Sequence, residues 1–161
     1  MSEHTLSLLV DNQPGVLTRV TGLIARRGYN IESLSVDRTD DLAISRVTLV
    51  VGAEHTPLEQ IKKQLHKLIN VHKIYDLTNE DAIERELLLV RLRVSEKQRA
   101  EILEICKMFQ AQIADANGDC LTIEASGNHE RLAALEDMLR PYGIAEFART
   151  GKIALSRCPT H

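Results

Sequence analysis

Aromatic residues make up only 3% of this 161-residue sequence, and tryptophan is absent. Proteins that bind single-stranded nucleic acid stack bases on aromatic rings above a basic face. Here 20 lysines and arginines are outnumbered by 23 acidic residues, a net charge of −3, so nucleic acid is not an expected partner. Long apolar runs are missing too. None approaches the ~18 residues that a membrane span needs, and a strand pattern begins so early that no targeting peptide fits before it. The expected setting is the cytoplasm, away from membranes. Cys106, Cys120 and Cys158 form no Cys-x-x-Cys pair, so a disulfide framework is not expected. The six histidines show no His-x-x-x-His spacing, and no metal site is expected. Gly-x-Ser-x-Gly, a Walker loop and the dinucleotide glycine fingerprint are absent, and Ser33 and Ser35 have no histidine in sequence context to activate them. No catalytic residue is assigned.

What is present is the composition of a globular protein, 43% hydrophobic and 27% charged. The length suits one ordinary domain or two small ones, and a half-chain of this size gains from partner surface. Leu6, Leu8 and Val10 alternate within 4–10 and predict a first strand. Val16, Leu17, Val20, Leu23 and Ile24 recur at helical spacing and predict a helix that stops at Gly28. Strands are expected over 31–37 and 43–51, joined by a Thr39-Asp40-Asp41 turn whose acidic pair reads as hairpin polarity. Thr56 as N-cap, Pro57 at the first position and Glu59 as capping-box partner open a second helix. Its inward face is Leu58, Ile61, Leu65, Leu68 and Ile69, while Lys62, Lys63 and Lys67 read as a solvated face rather than a phosphate site. A strand over 71–77 completes βαββαβ.

After a polar connector at 78–81 the order repeats. A strand is expected over 85–94, then a helix capped by Ser95 and Gln98 with Ile102, Ile105, Cys106 and Phe109 inward. Asn117-Gly118 marks a hairpin between strands over 111–116 and 120–125. A helix with Leu132, Leu135, Met138 and Leu139 inward stops at Pro141 and Gly143, before strands over 144–148 and 152–156 and a mobile tail. The fold class is α+β: two ferredoxin-like βαββαβ sandwiches in tandem. The first domain is expected over 1–78, a linker over 79–84 and the second domain over 85–161.

Two segments bracket the first helix: Asp11-Asn12-Gln13-Pro14-Gly15-Val16-Leu17 and Arg27-Gly28-Tyr29-Asn30-Ile31. Asp11 and Asn12 are N-cap types, Pro14 suits a helix start, and Gly15 lets the backbone approach whatever lies above. An acidic residue at position 15 is expected to leave the helix intact. Turn chemistry alone accounts for each of these residues. The other reading is a cup for a small zwitterion, with helix-start N–H groups for a carboxylate and asparagine carbonyls for an ammonium.

The run over 11–17 is similar to the first loop of an ACT domain, the small amino-acid-sensing module. Arg26-Arg27-Gly28-Tyr29-Asn30-Ile31-Glu32-Ser33-Leu34 resembles the regulatory small subunits of acetohydroxyacid synthase, also called acetolactate synthase. Residues 42–48, 59–68, 84–90, 110–113 and 148–151 continue the likeness. The resemblance implies an ACT domain followed by an ACT-like C-terminal domain, in a regulator that binds no cofactor itself. Thiamine diphosphate, flavin and magnesium are implied for a separate large catalytic subunit, which condenses two pyruvates, or pyruvate with 2-oxobutanoate, toward the branched-chain amino acids. A homodimer through the ACT domains is implied, with valine or a related amino acid at the seam. The implied effector residues are Asn12, Gln13, Pro14, Gly15, Val16, Leu17, Asn30 and Ile31. Asn12, Gly15 and Val16 of one chain face Asn30 and Ile31 of its neighbour in this reading, and valine's isopropyl group packs on Val16, Leu17 and Ile31. The alternative is a free-standing ACT-type sensor without an enzyme partner.

Overall fold

Apolar residues at every second position commit 2–11 to a strand, and those at every third and fourth commit 16–26 to a helix. A computed structural model describes residues 2–53 and 57–160. Its elements are β1 (Ser2–Asp11), α1 (Val16–Arg26), β2 (Asn30–Arg38), β3 (Ile44–Ala53), α2 (Leu58–His66) and β4 (Val71–Asp76). They are followed by β5 (Ala82–Arg93), α3 (Glu96–Phe109), β6 (Gln112–Asn117), β7 (Cys120–Gly127), α4 (His129–Leu139), a 3-10 turn (Arg140–Tyr142), β8 (Ile144–Arg149) and β9 (Ile153–Ser156). Both sandwiches expected from the sequence are present.

The chain forms two compact units, Met1–Ile83 with Gly151–His161, and Glu84–Thr150. In the first unit the antiparallel order is β2-β3-β1-β4. Leu6 stands opposite Leu49 and Leu8 opposite Val47, so these side chains share the face that α1 and α2 cover. Val20 and Ile24 of α1 and Ile61 and Leu65 of α2 are buried against them. Leu17 and Ile69, expected inward, are 38% and 92% exposed. Thr56 lies outside the described residues, and Pro57 is extended and precedes the first turn of α2 instead of opening it. Lys62 pairs with Glu59 at 2.6 Å and Asp76 at 3.2 Å, which uses its charge within the unit.

In the second unit the order is β6-β7-β5-β8. Leu88, Val90 and Leu92 of β5 stand opposite Ala125, Ile123 and Leu121, and Ile102, Ile105, Leu132, Leu135 and Leu139 cover them. Met138, expected inward, is 38% exposed.

The boundaries differ from the sequence reading in two places. Residues 82–84, expected in the linker, already belong to β5. The segment from Gly151, expected in the second domain, lies with the first unit. Backbone contact explains the latter: a Cβ on Gly151 would stand 2.2 Å from the Leu34 carbonyl oxygen, and Lys152 N donates to Ser33 Oγ at 2.9 Å. Thr78 is also held, since its hydroxyl donates to Asp76 Oδ1 at 2.6 Å and accepts from Thr5 N at 3.2 Å.

Candidate functional site

Between β1 and α1 the chain turns through Asn12, Gln13, Pro14 and Gly15, and the base of this turn is latched. Asp11 N donates to Asn70 O at 2.9 Å, Asn70 Nδ2 donates to Asp11 Oδ2 at 2.8 Å, and His72 Nε2 lies 2.5 Å from Asp11 Oδ1. Arg19 of α1 reaches Asn70 Oδ1 at 3.0 Å. The hydrogen bonds from His72 and then Asn70 hold the Asp11 carboxyl below the usual carboxylate range, against the opposing effect of burial. Asn70 and His72 stand 59 and 61 positions from Asp11, so nothing local in the sequence announces them.

Neither Asp11 nor Asn12 caps α1, contrary to the sequence reading. Asn12 N donates to Ala43 O at 2.8 Å and Asn12 Nδ2 to Leu42 O at 2.9 Å. Its Oδ1 has no partner among the described residues and remains an acceptor. The residue that precedes α1 is Gly15, left-handed at φ 85°, and no side chain caps the helix. Val16 N makes a long 3.4 Å bond to Gln13 O. Among the described residues the N–H groups of Leu17 and Thr18 find no acceptor. Nothing lies within 4 Å of where a Gly15 Cβ would stand, so the space above the helix end is open. Unpaired donors at the positive end of a helix are suited to a carboxylate. Gln13, Pro14 and Gly15 are exposed beside them, while the Val16 side chain turns into the core at 4% exposure.

The second segment lies at the far end of the same helix. Arg27, Gly28 (φ 82°) and Tyr29 close it, with Gly28 N bonded to Ala25 O and Tyr29 N to Ile24 O, the double bond of a Schellman stop. Asn30 is exposed, its Nδ2 donates to Glu32 Oε1 and its Oδ1 has no partner among the described residues, while Ile31 is half-buried. The 11 residues of α1 separate the two segments by roughly 16 Å at 1.5 Å per residue. One chain therefore does not close the cup that the sequence suggested around a single helix. The two candidate segments stand at opposite ends of α1.

β2 is an edge strand. Leu34 and Val36 stand opposite the core residues Leu49 and Val47, yet are 37% and 41% exposed. Both are half-open apolar side chains on that edge strand.

The first unit, a ferredoxin-like βαββαβ sandwich, belongs to the class of ACT domains. The family model described as the AHAS small subunit-like ACT domain matches residues 6–73, and that described as the small subunit of acetolactate synthase matches residues 85–158. The chain is 48% identical over 156 residues to the acetolactate synthase small subunit of Mycolicibacterium smegmatis, covering 97% of this chain and 92% of that protein. It is 46% identical over 155 residues to a probable acetolactate synthase small subunit of Archaeoglobus fulgidus, covering 96% and 97% of the two chains. The crystal structure of the small subunit from Thermotoga maritima superposes with a TM-score of 0.90 at 34% identity, covering 99% of this chain and 100% of that one. The chain belongs to the family of acetolactate synthase small subunits.

Proposed function

We propose that this chain is the regulatory subunit of an acetolactate synthase, which stimulates a separate catalytic subunit and makes it sensitive to valine or a related branched-chain amino acid. The observation that carries the reading is the uncapped start of α1 at Gly15, with free Leu17 and Thr18 N–H groups under open space. The effector's carboxylate sits on these donors. The free Oδ1 atoms of Asn12 and of Asn30 from a second chain accept from its ammonium group. Its alkyl group packs on Leu17 and Ile31. Pairing two chains along β2 supplies the missing half-site and covers Leu34 and Val36. The chemistry on pyruvate, with thiamine diphosphate, flavin and magnesium, belongs to the catalytic partner in the cytoplasm.

Effector and catalytic partner bind at different places, so inhibition is a coupling free energy of about 1–3 kcal/mol between two sites. Reconstitution tests this directly. Added to its cognate large subunit, the chain is expected to raise acetolactate formation and render it valine-sensitive, while alone, with cofactors supplied, it converts no pyruvate. Turnover by the purified chain, or a large subunit indifferent to it, overturns the reading.

A further inference from the structure

The face of the first sheet away from α1 and α2 carries a cavity of about 200 Å³ lined by Ser7, Arg46 and Tyr75, and walled by Leu77, Ala154 and Leu155. Ser7 is completely buried on that face and accepts from Arg46 Nη1 at 2.6 Å, which leaves its own O–H proton to donate. The Arg46 guanidinium stands 5.7 Å from the centre of the Tyr75 ring, and Lys73 Nζ stands 4.7 Å from it. Two cations thus flank one ring. Among the described residues neither has a carboxylate within ion-pair distance. Asp37, opposite Arg46 in the β2–β3 ladder, turns its carboxylate to Arg38 N at 2.7 Å.

The lining is therefore rich in donors and holds no acidic side chain. An anion meets a guanidinium fork held from behind by Ser7, with Tyr75 in the lining and the Lys73 charge nearby. An ammonium group finds no acidic side chain in this lining, whereas the proposed site at the start of α1 offers it asparagine Oδ1 acceptors. The volume lies below the ~300–1,000 Å³ of sites for drug-sized ligands, and the Leu77, Ala154 and Leu155 wall suits a short alkyl group.

We propose that this cavity binds a short-chain organic carboxylate without an ammonium group, such as a 2-oxo acid, with Arg46, oriented by the buried Ser7, holding the carboxylate and the Leu77, Ala154 and Leu155 wall facing the alkyl end. Ala154 and Leu155 of this wall belong to the Gly151–His161 segment, which is tied to β2 through Lys152 N and Ser33 Oγ and to the connector by an Arg157–Asp81 pair at 2.9 Å. Occupancy consequently stabilises this segment on the first sheet. The inference is independent of the valine reading, since it uses none of the residues around α1.

Methyl-resolved NMR of the full chain tests it, with 2-oxobutanoate, inorganic phosphate and L-valine titrated separately. 2-Oxobutanoate is expected to shift the Ala154 and Leu155 methyls saturably. Phosphate should do so at least tenfold more weakly, and valine should leave them unmoved. Arg46→Gln is expected to weaken 2-oxobutanoate binding at least tenfold with unchanged valine binding. Should Arg46→Gln fail to fold, Arg46→Lys keeps the charge without the fork and is expected to weaken binding several-fold. No saturable shift with the wild-type chain, equal binding of phosphate, or undiminished binding in the folded Arg46 variant overturns the proposal.

Discussion

α1 and α3 hold the same place in two copies of one topology, and they begin in opposite ways. α3 is sealed: Ser95 Oγ accepts from Gln98 N and Gln98 Oε1 accepts from Ser95 N, a complete capping box. α1 is open, with a left-handed glycine where α3 has its serine and no side chain on its first donors. Their ends differ in the reverse sense. α1 stops on Gly28, which takes φ 82° freely, whereas α3 stops on Gln110 at φ 53°, a conformation that costs an L-residue about 1–2 kcal/mol. A sealed start is what stability alone selects, because an orphaned donor gains from any partner. The unit that leaves its donors free is the one in which the proposed effector site lies.

The second unit spends its polar groups on holding itself together. Arg149 Nη2 lies 2.9 Å from Glu86 Oε2, with side-chain exposures of 18% and 7%, and the Thr150 hydroxyl accepts from Leu87 N at 2.9 Å. Within 148–151, Arg149 and Thr150 thus anchor β8 to β5. Removing one partner of a mostly buried pair strands the other charge. Arg149→Leu is expected to lower stability by about 3 kcal/mol in denaturant titration while valine affinity stays at the wild-type value. A loss of valine binding in the still-folded variant would erase the contrast between the units.

Gly15→Asp puts a carboxylate where the proposed effector's carboxylate would sit. Two like charges ~4 Å apart repel by about 1 kcal/mol in water and about 4 kcal/mol in a half-buried site, so calorimetry should show at least a tenfold loss of valine affinity. The expectation from sequence that the helix absorbs an acidic residue here is corrected by the structure. At φ 85° any side chain is strained, and unfolding should register a loss of about 1 kcal/mol. Gly15→Ala separates strain from charge: it should cost similar stability and weaken binding less. Wild-type affinity in Gly15→Asp would reduce the open helix start to a simple turn.

Ser95→Ala opens the sealed helix. A lost cap costs about 1 kcal/mol, read as a lower unfolding midpoint with no change in valine titration. Gln110→Gly acts at the other end of α3 and should stabilise by up to about 1 kcal/mol, because glycine takes the left-handed conformation without the Cβ penalty. A destabilising result would show that the Gln110 side chain contributes more than its backbone costs.

The smallest effect concerns the latch under the loop. His72, then Asn70, depress the Asp11 pKa in the folded chain. A depressed carboxylate stabilises the fold above its unfolded value, near ~3.9, and that contribution is lost as pH falls through the folded value. The Asp11 contribution is therefore present above about pH 5 and lost as pH falls below it, and Asp11→Asn should remove this acid-side slope in a pH series of unfolding midpoints.

Periodicity was enough to read both sandwiches, because a strand or helix must repeat its apolar residues to build one face, as Leu6-Leu8-Val10 and Ile102-Ile105-Cys106 do. Local chemistry was enough for the Gly28 stop and the Ser95–Gln98 box, whose partners lie within a turn of each other. The loop over 11–17 was legible as a feature from its own residues, and its kinship from resemblance. What only the tertiary structure decided involves partners distant in the chain or a backbone angle that no side chain encodes. Asp11 reads locally as a cap, yet bonds to Asn70, just before β4, and to His72 within it. Gly15 reads as permissive, yet its left-handed angle is what leaves α1 uncapped. Residues 151–156 read as the end of the second domain, yet a glycine with no room for a Cβ holds them to the first. Sequence patterns are set by what neighbours along the chain must do together; the latch, the free donors and the Arg46 cavity exist only once β1, β3, β4 and the C-terminal segment stand side by side.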